Sequence, residues 1–195
     1  MSHQRRLVLG STSRYRAGLL GRLGLPFEQR APGTSETELP GEAPAARAMR
    51  LAIAKATDAG NGLTDALVIG SDQVAELGGL LLEKPGSVER AHAQLGSCSG
   101  HIVSFHTALC VLDTANAQQR THLDLTRVHF RVLPSKEISR YIEREQPLDC
   151  AGSFKCEGLG ISLFERIEND DPTALIGLPL MALARLLREA GLDVP

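Results

Sequence analysis

Excess charge of either sign is nearly absent: 21 basic and 23 acidic side chains leave a formal charge of -2, which excludes a broad basic face neutralising many phosphates of a nucleic acid. Long apolar runs are missing too. No stretch approaches the ~20 residues that span a bilayer, and residues 1–10 lack the apolar core of a secretory signal, so a cytoplasmic protein with no membrane partner is expected. The four cysteines, Cys98, Cys110, Cys150 and Cys156, form no CxxC pair, which argues for reduced structural thiols over a disulfide framework or a thiolate zinc site. Among the six histidines the nearest pair, His101 and His106, has an odd spacing that puts the two on opposite faces of a strand. There is no Walker A sequence, no GxGxxG after a strand and no HExxH, so kinase, dinucleotide oxidoreductase and zinc protease readings lose their main support. What remains, at 195 residues and 43% hydrophobic, is enough apolar material for one globular domain or two small lobes, without repeats or low-complexity tracts.

Leu7–Leu9 is a short apolar run ending at Gly10, which predicts a buried strand followed by the polar turn Ser11-Thr12-Ser13. From Arg14 to Leu23 the leucines 19, 20 and 23 recur at helical spacing, with Gly24 as a stop. A hydroxyl-rich turn opening onto a helix N-terminus favours an anion such as phosphate, and the same serines would also be expected as caps without any ligand. The Pro-, Gly-, Thr- and Glu-rich stretch 31–43 reads as a loop whose Glu36 and Glu38 are solvated unless it folds over a site. Pro44–Ala59 is Ala-rich and predicts a helix carrying Lys55. The run Ala66–Gly70 has no alternation, as for a strand covered on both faces, and is read as ending in a turn, Ser71-Asp72-Gln73. Asp72 then either faces a ligand at the C-terminal end of the strand or caps the turn.

Lys84-Pro85-Gly86 predicts a turn, with Ser87 as N-cap of a short helix 88–95. Two strands, His101–Leu112 and His122–Leu133, are expected to form a hairpin across the polar residues 113–120. In the second, the apolar phase passes from Leu123 and Leu125 to Val128, Phe130 and Val132, which predicts a bulge near Arg127. A helix Ser135–Glu145 follows; Cys150–Gly160 reads as too polar and Gly-rich for core, and a final helix Leu180–Ala190 stops at Gly191. Sorted by chemistry, the polar residues of loops and element ends are the acids Glu36 and Asp72, the cations Arg16, Lys55, Lys84 and Lys155, and the hydroxyls Ser11 and Ser13. That mix suits a polyphosphate: two carboxylates can hold a hard divalent cation and Lys or Arg can neutralise a leaving group, if folding gathers them.

Five motifs then occur in a telling order: Leu9-Gly10-Ser11-Thr12-Ser13-Arg14-Tyr15-Arg16, Gly70-Ser71-Asp72-Gln73, Lys84-Pro85, Ser153-Phe154-Lys155-Cys156-Glu157-Gly158 and Ile176-Gly177-Leu178-Pro179. In these the chain resembles the Maf nucleotide pyrophosphatases over nearly its whole length, and the Ser-Asp-Gln and Phe-Lys-x-Glu-Gly forms are similar to the 7-methyl-GTP pyrophosphatase branch. The dTTP- and UTP-hydrolysing branch typically has Asp-Thr in place of Asp72-Gln73. The resemblance implies a single domain over 1–195 with an α/β fold, a mixed elongated sheet flanked by helices, and two lobes around a central cleft. It implies hydrolysis of a nucleoside triphosphate between the α and β phosphates with Mg2+ or Mn2+. Asp72 would be the proton acceptor, Glu36 and Asp72 the metal ligands, and Lys55, Lys84, Arg16, Ser11, Ser13 and Lys155 the groups around the phosphates. Tyr15, Gln73 and Glu157 fall at the substrate-selecting positions, where an aromatic face suits the charged 7-methylguanine ring and a carboxylate accepts from guanine N1 and N2.

Three departures stand out: Arg14 replaces a proline of many members, Tyr15 replaces a tryptophan of close relatives, and Cys156 sits where serine is frequent. The alternatives are a pyrophosphatase for dTTP, UTP or another modified nucleotide, and a non-catalytic nucleotide-binding regulator of cell division. Many members of the family are dimers, which makes a homodimer part of the expectation.

Overall fold

A computed structural model describes residues 5–194. In chain order the elements are β1 (Arg6–Leu9), α1 (Arg14–Gly21), β2 (Glu28–Gln29), α2 (Pro44–Ala59), β3 (Ala66–Leu77), β4 (Leu80–Leu82), α3 (Val88–Cys98), β5 (Ile102–Asp113), β6 (Gln118–Phe130), α4 (Ser135–Glu145), β7 (Phe164–Glu168) and α5 (Leu180–Glu189). The strands form one sheet in the order β2-β1-β3-β5-β6-β7, with β4 paired to β3. Pairing is parallel for β1 with β2 and β3, and antiparallel for β3 with β4 and β6 with β7, so the expected mixed α/β fold is present.

The chain divides into two compact units. The first comprises the chain up to Gln73, Thr107–Asp124 and the chain from Asp171 onward; the second comprises Val74–His106 and Leu125–Asp170. In the first unit, β1 and the start of β3 are apolar on both faces, as their unalternating sequences predict. Leu7, Leu9, Leu67 and Ile69 pack against Leu19 and Leu20 of α1 and Leu183, Leu186 and Leu187 of α5. The opposite face receives α2, whose small residues match glycines on the strands. A β-carbon on Gly10 would lie 2.8 Å from Ala59 Cβ, and one on Gly70 only 2.1 Å from the Ala52 carbonyl oxygen. The helix therefore rides directly on the backbone of the sheet, which brings Lys55 on its underside within reach of β3.

Arg5 ties the edge of this unit together. Its guanidinium forks onto Asp113 at 2.5 and 2.9 Å and also donates to Asp65 at 3.1 Å. Hydrogen bonding from Arg5 holds the buried Asp113 carboxyl below the usual aspartate range. A depressed folded pKa adds stability above the unfolded value, and that stability is lost as pH falls through the folded one. The advantage of the wild type over Asp113→Asn in urea denaturation is therefore expected at pH 7 and expected to shrink below about pH 4. An advantage constant between pH 7 and pH 3 would contradict the assignment.

The second unit has an aromatic centre: Phe105, Phe130, Phe154 and Phe164 meet edge to face, with ring centroids 4.8–5.7 Å apart. Ser87 caps α3 by accepting from the Arg90 amide, and α4 buries Ile138, Tyr141 and Ile142. Gln146 ends α4 in a left-handed conformation, φ 48°.

Five expectations change, the first being the second hairpin strand, which runs Gln118–Phe130 and not His122–Leu133. The strand read as ending at Gly70 runs on to Leu77, so Asp72 and Gln73 are strand residues and no turn residues. Their polarity looks like a turn in sequence; in the fold each finds polar partners. No slip of phase occurs near Arg127: Asp124, Thr126, Val128 and Phe130 are buried in unbroken alternation, leaving Leu123 and Leu125 39% and 37% exposed. The register irregularity between β6 and β7 falls instead at His129/Phe130. The segment 150–160 is partly core, since Gly152, Ser153, Phe154 and Gly160 are buried. Helix α3 extends to Cys98, three residues beyond the expected end.

Candidate active site

Helix α2 begins with Pro44 at its first turn and turns Ala48, Leu51, Ala52, Lys55, Ala56 and Ala59 inward. Lys55 is the one cation on this apolar face, and its ammonium is the hub of the site. Nζ lies 2.6 Å from Asp72 Oδ1 on β3 and 2.6 Å from Glu36 Oε1 on the preceding loop. Lys55 and Asp72 are each 9% exposed whereas Glu36 is 59% exposed, so one carboxylate is enclosed and the other stands at the solvent side. A buried ammonium between two carboxylates satisfies the requirement that interior charges be paired.

The loop carrying Glu36 is fastened to α2 by two arginines. Arg47 binds Glu38 at 2.5 Å, and Arg50 grips both oxygens of Glu42 at 2.6 Å while also donating to the Thr37 carbonyl. Glu36 and Glu38 are each 59% exposed, so both acids stay solvated as expected even though the loop is fastened to the helix. The loop lies against α2, and Glu36 reaches Lys55.

The hydroxyl turn and α1 supply the remaining groups of this unit. Ser13 caps α1, its Oγ accepting from the Arg16 amide at 3.4 Å, and Ser11 Oγ accepts from the Ser13 amide at 3.1 Å. Capping consumes those two amides locally. Arg16 Nη1 is 3.5 Å from Ser11 Oγ and its Nε donates to the Gly177 carbonyl at 2.9 Å. Burial pushes the Arg16 guanidinium below its ordinary value, and the charges of Asp72 and Glu36 act in the opposite direction. Arginine stays charged under such a shift, so a half-buried second cation feels the same pair of carboxylates that Lys55 bridges.

Of the positions expected to select the base, Tyr15 carries the Arg14 guanidinium over its ring at 4.8 Å and accepts from it at its hydroxyl at 2.8 Å. Arg14 therefore lays its own cation on that aromatic face. Gln73 turns to the other side of β3 from Asp72, where its amide nitrogen meets Thr107 Oγ1, Ala174 O and Leu175 O at 2.9–3.1 Å.

Lys84, Lys155 and Glu157 belong to the second unit. Lys84 and Glu157 are exposed. Lys155 Nζ donates to the carbonyls of Glu145 and Gln146 at 2.8 and 3.3 Å, so it caps the C-terminal end of α4, a use that its assignment to phosphate did not foresee. Burial pushes the Cys156 thiol up to about 12, in keeping with its reading as structural. Thr107 carries no signal in the sequence, and Ser71 and Gly177 stand in the quoted motifs without an assigned role; in the fold the three surround Gln73 and Arg16, two as buried hydroxyls inside strands and the third through its carbonyl oxygen.

The donor chemistry fits a hard divalent cation. Glu36 and Asp72 offer carboxylate oxygens to one shared cation, Lys55, and no cluster of three or more His, Cys, Asp or Glu suited to a metal exists among the described residues. Magnesium is characteristically held by one or two carboxylates together with substrate phosphates, which is what such a pair provides.

Known proteins resemble this chain over nearly its whole length. The family model described as Maf-like protein matches residues 6–190. A protein of Xanthomonas axonopodis pv. citri named 7-methyl-GTP pyrophosphatase is 55% identical over 191 residues, covering 97% of this chain and 99% of its own. Proteins with the same name from Thiobacillus denitrificans and Burkholderia thailandensis are 55% and 53% identical, over 96% and 95% of this chain and 94% and 88% of theirs. With the model and these relatives both spanning nearly all of it, the chain belongs to the Maf-like family.

Proposed function

We propose that the chain is a nucleoside triphosphate pyrophosphatase that hydrolyses 7-methyl-GTP to 7-methyl-GMP and pyrophosphate. The observation that carries this reading is the Asp72–Lys55–Glu36 ion cluster, enclosed at Lys55 and Asp72 and open to solvent at Glu36, beside Arg16 and the Ser11 turn. Asp72 accepts a proton from a water whose oxygen attacks the α phosphorus; the bond to the bridging oxygen breaks and pyrophosphate leaves. Such general-base assistance contributes about 10^2- to 10^4-fold. Lys55 and Arg16 stand where negative charge grows on the departing pyrophosphate, and Arg16 offers donors in a fixed fork. Ser11 and Ser13 line the turn beside them. When bound, a divalent cation held by Glu36 and Asp72 supplies charge neutralisation across the triphosphate.

Base selection is assigned to Tyr15, Gln73 and Glu157, and further phosphate contacts to Lys84 and Lys155. The metal is Mg2+ or Mn2+, the compartment the cytoplasm, and the assembly a homodimer of one 195-residue catalytic domain. These last assignments rest on the family likeness alone.

Pyrophosphate release from 7-methyl-GTP, GTP, dTTP and UTP, each with Mg2+ or Mn2+, tests the reading. The expected result is a kcat/KM for 7-methyl-GTP at least about tenfold above the others, the ratio of one favourable contact to the methylated ring. Preference for dTTP or UTP would move the protein to the other branch. Turnover of none would remove the enzymatic reading and favour a nucleotide-binding regulator.

A further inference from the structure

One polar face of β3 is spent on the backbone of residues 174–177. Gln73 Nε2 meets Ala174 O at 3.0 Å and Leu175 O at 3.1 Å, and both carbonyls can only accept, so the polarity of this amide is set by chemistry. The same nitrogen donates to Thr107 Oγ1 at 2.9 Å, and that hydroxyl lies 3.1 Å from Ala174 O. Thr107 is fully buried, and its hydroxyl both accepts from Gln73 and donates to the turn. Ser71, also fully buried, places its Oγ 2.9 Å from Gly177 O.

The turn these side chains hold ends at Gly177. Gly177 has φ +117°, a conformation that favours glycine, and its amide returns to Ala174 O at 2.9 Å. Its carbonyl receives Arg16 Nε at 2.9 Å, so the direction of that carbonyl sets the plane of a guanidinium whose other arm reaches Ser11.

We propose that Thr107 is a positioning residue for the triphosphate: together with Gln73 and Ser71 it locks the 174–177 turn so that the Gly177 carbonyl aims the Arg16 fork along the Ser11 turn. This rests on the assignment of Arg16 to the phosphates. It also gives Gln73 a second duty, since a threonine at position 73 is too short to reach all three acceptors. Displacement of a guanidinium fork costs affinity for the phosphates whatever base is attached. A base-reading role would instead alter discrimination between bases.

The test uses inorganic tripolyphosphate, which has no base, measured by calorimetry on the full chain, alongside steady-state kinetics with 7-methyl-GTP and GTP. In Thr107→Val, which keeps the shape and loses the hydroxyl, tripolyphosphate affinity is expected to fall about tenfold, in line with losing hydrogen bonds around a charged group. KM should rise by a similar factor for both nucleotides, with kcat within about twofold and the preference between them unchanged. Thr107→Ser, which restores the hydroxyl, should return both quantities to within about twofold of wild type. Ser71→Ala removes the hydroxyl shared between the Gly177 and Ala108 carbonyls, frees the Gly177 end of the turn and should reproduce the Val signature, which keeps the inference testable if Thr107→Val does not fold. Unchanged tripolyphosphate affinity in a folded Val or Ala variant would overturn it, as would a loss confined to base preference. A wild type that neither binds tripolyphosphate nor turns over nucleotide would instead overturn the proposed function.

Discussion

Asp72→Asn is expected to lower kcat for 7-methyl-GTP by about 10^3-fold, within the range that a positioned base contributes. The amide keeps the size of the side chain and can still accept from Lys55 Nζ, now 2.6 Å from Asp72 Oδ1. Lys55 also retains Glu36, so the variant should fold, with an unchanged circular dichroism spectrum and a Tm a few degrees lower. The change separates chemistry from architecture: nucleotide binding measured by calorimetry should survive better than turnover. A variant retaining a tenth or more of wild-type kcat would transfer the base to another group.

Gly70→Ala is expected to be the most damaging single methyl in the first unit. Its β-carbon would lie 2.1 Å from Ala52 O, 2.5 Å from the Ala56 nitrogen and 2.9 Å from Ala56 Cβ. Two of those atoms are helix backbone, which no rotamer change can move, so α2 must lift from β3 and take Lys55 away from Asp72. Overpacking of this kind costs about 3 kcal/mol or more, which for a chain of this size lowers Tm by about 10 °C. Thermal melts of Gly70→Ala and Gly96→Ala give the comparison, because a β-carbon on Gly96 in α3 meets nothing within 4 Å. Gly96→Ala should be neutral or stabilising by about 0.5–1 kcal/mol, as for alanine replacing glycine in a helix. Equal melting points for the two variants would show that α2 does not rest on Gly70.

Elements whose causes are local are legible in the amino-acid sequence. Helices α2 and α4 have their expected bounds, 44–59 and 135–145, because composition and periodicity act within a few turns. Ser13 and Ser87 cap their helices as expected. The errors arise where a polar residue is satisfied from far away. Asp72 resembles a turn residue until Lys55 of α2 is beside it, and Gln73 until the 174–175 carbonyls close around its amide. In β6 hydropathy points the wrong way, since Asp124 and Thr126 are buried while their leucine neighbours face outward. Of the Asp72–Lys55–Glu36 cluster, Asp72 stands in a quoted motif, whereas Lys55 and Glu36 stand outside all five and are named by charge and by the family likeness. Ser71, Gln73 and Gly177 also stand in motifs, yet their joint hold on the 174–177 turn is invisible in sequence because it runs through backbone carbonyl oxygens, which every residue carries.

The first unit is drawn from three stretches, of which the last starts at Asp171. During synthesis the leading stretch therefore emerges from the ribosome long before α5 exists to cover Leu7, Leu9, Leu67 and Ile69. Gly177, which orients Arg16, is translated 161 positions after it. At about 5–20 residues per second, the stretch between Ile69 and α5 leaves roughly five to twenty seconds during which the nascent chain carries an uncovered apolar face, a natural substrate for chaperones.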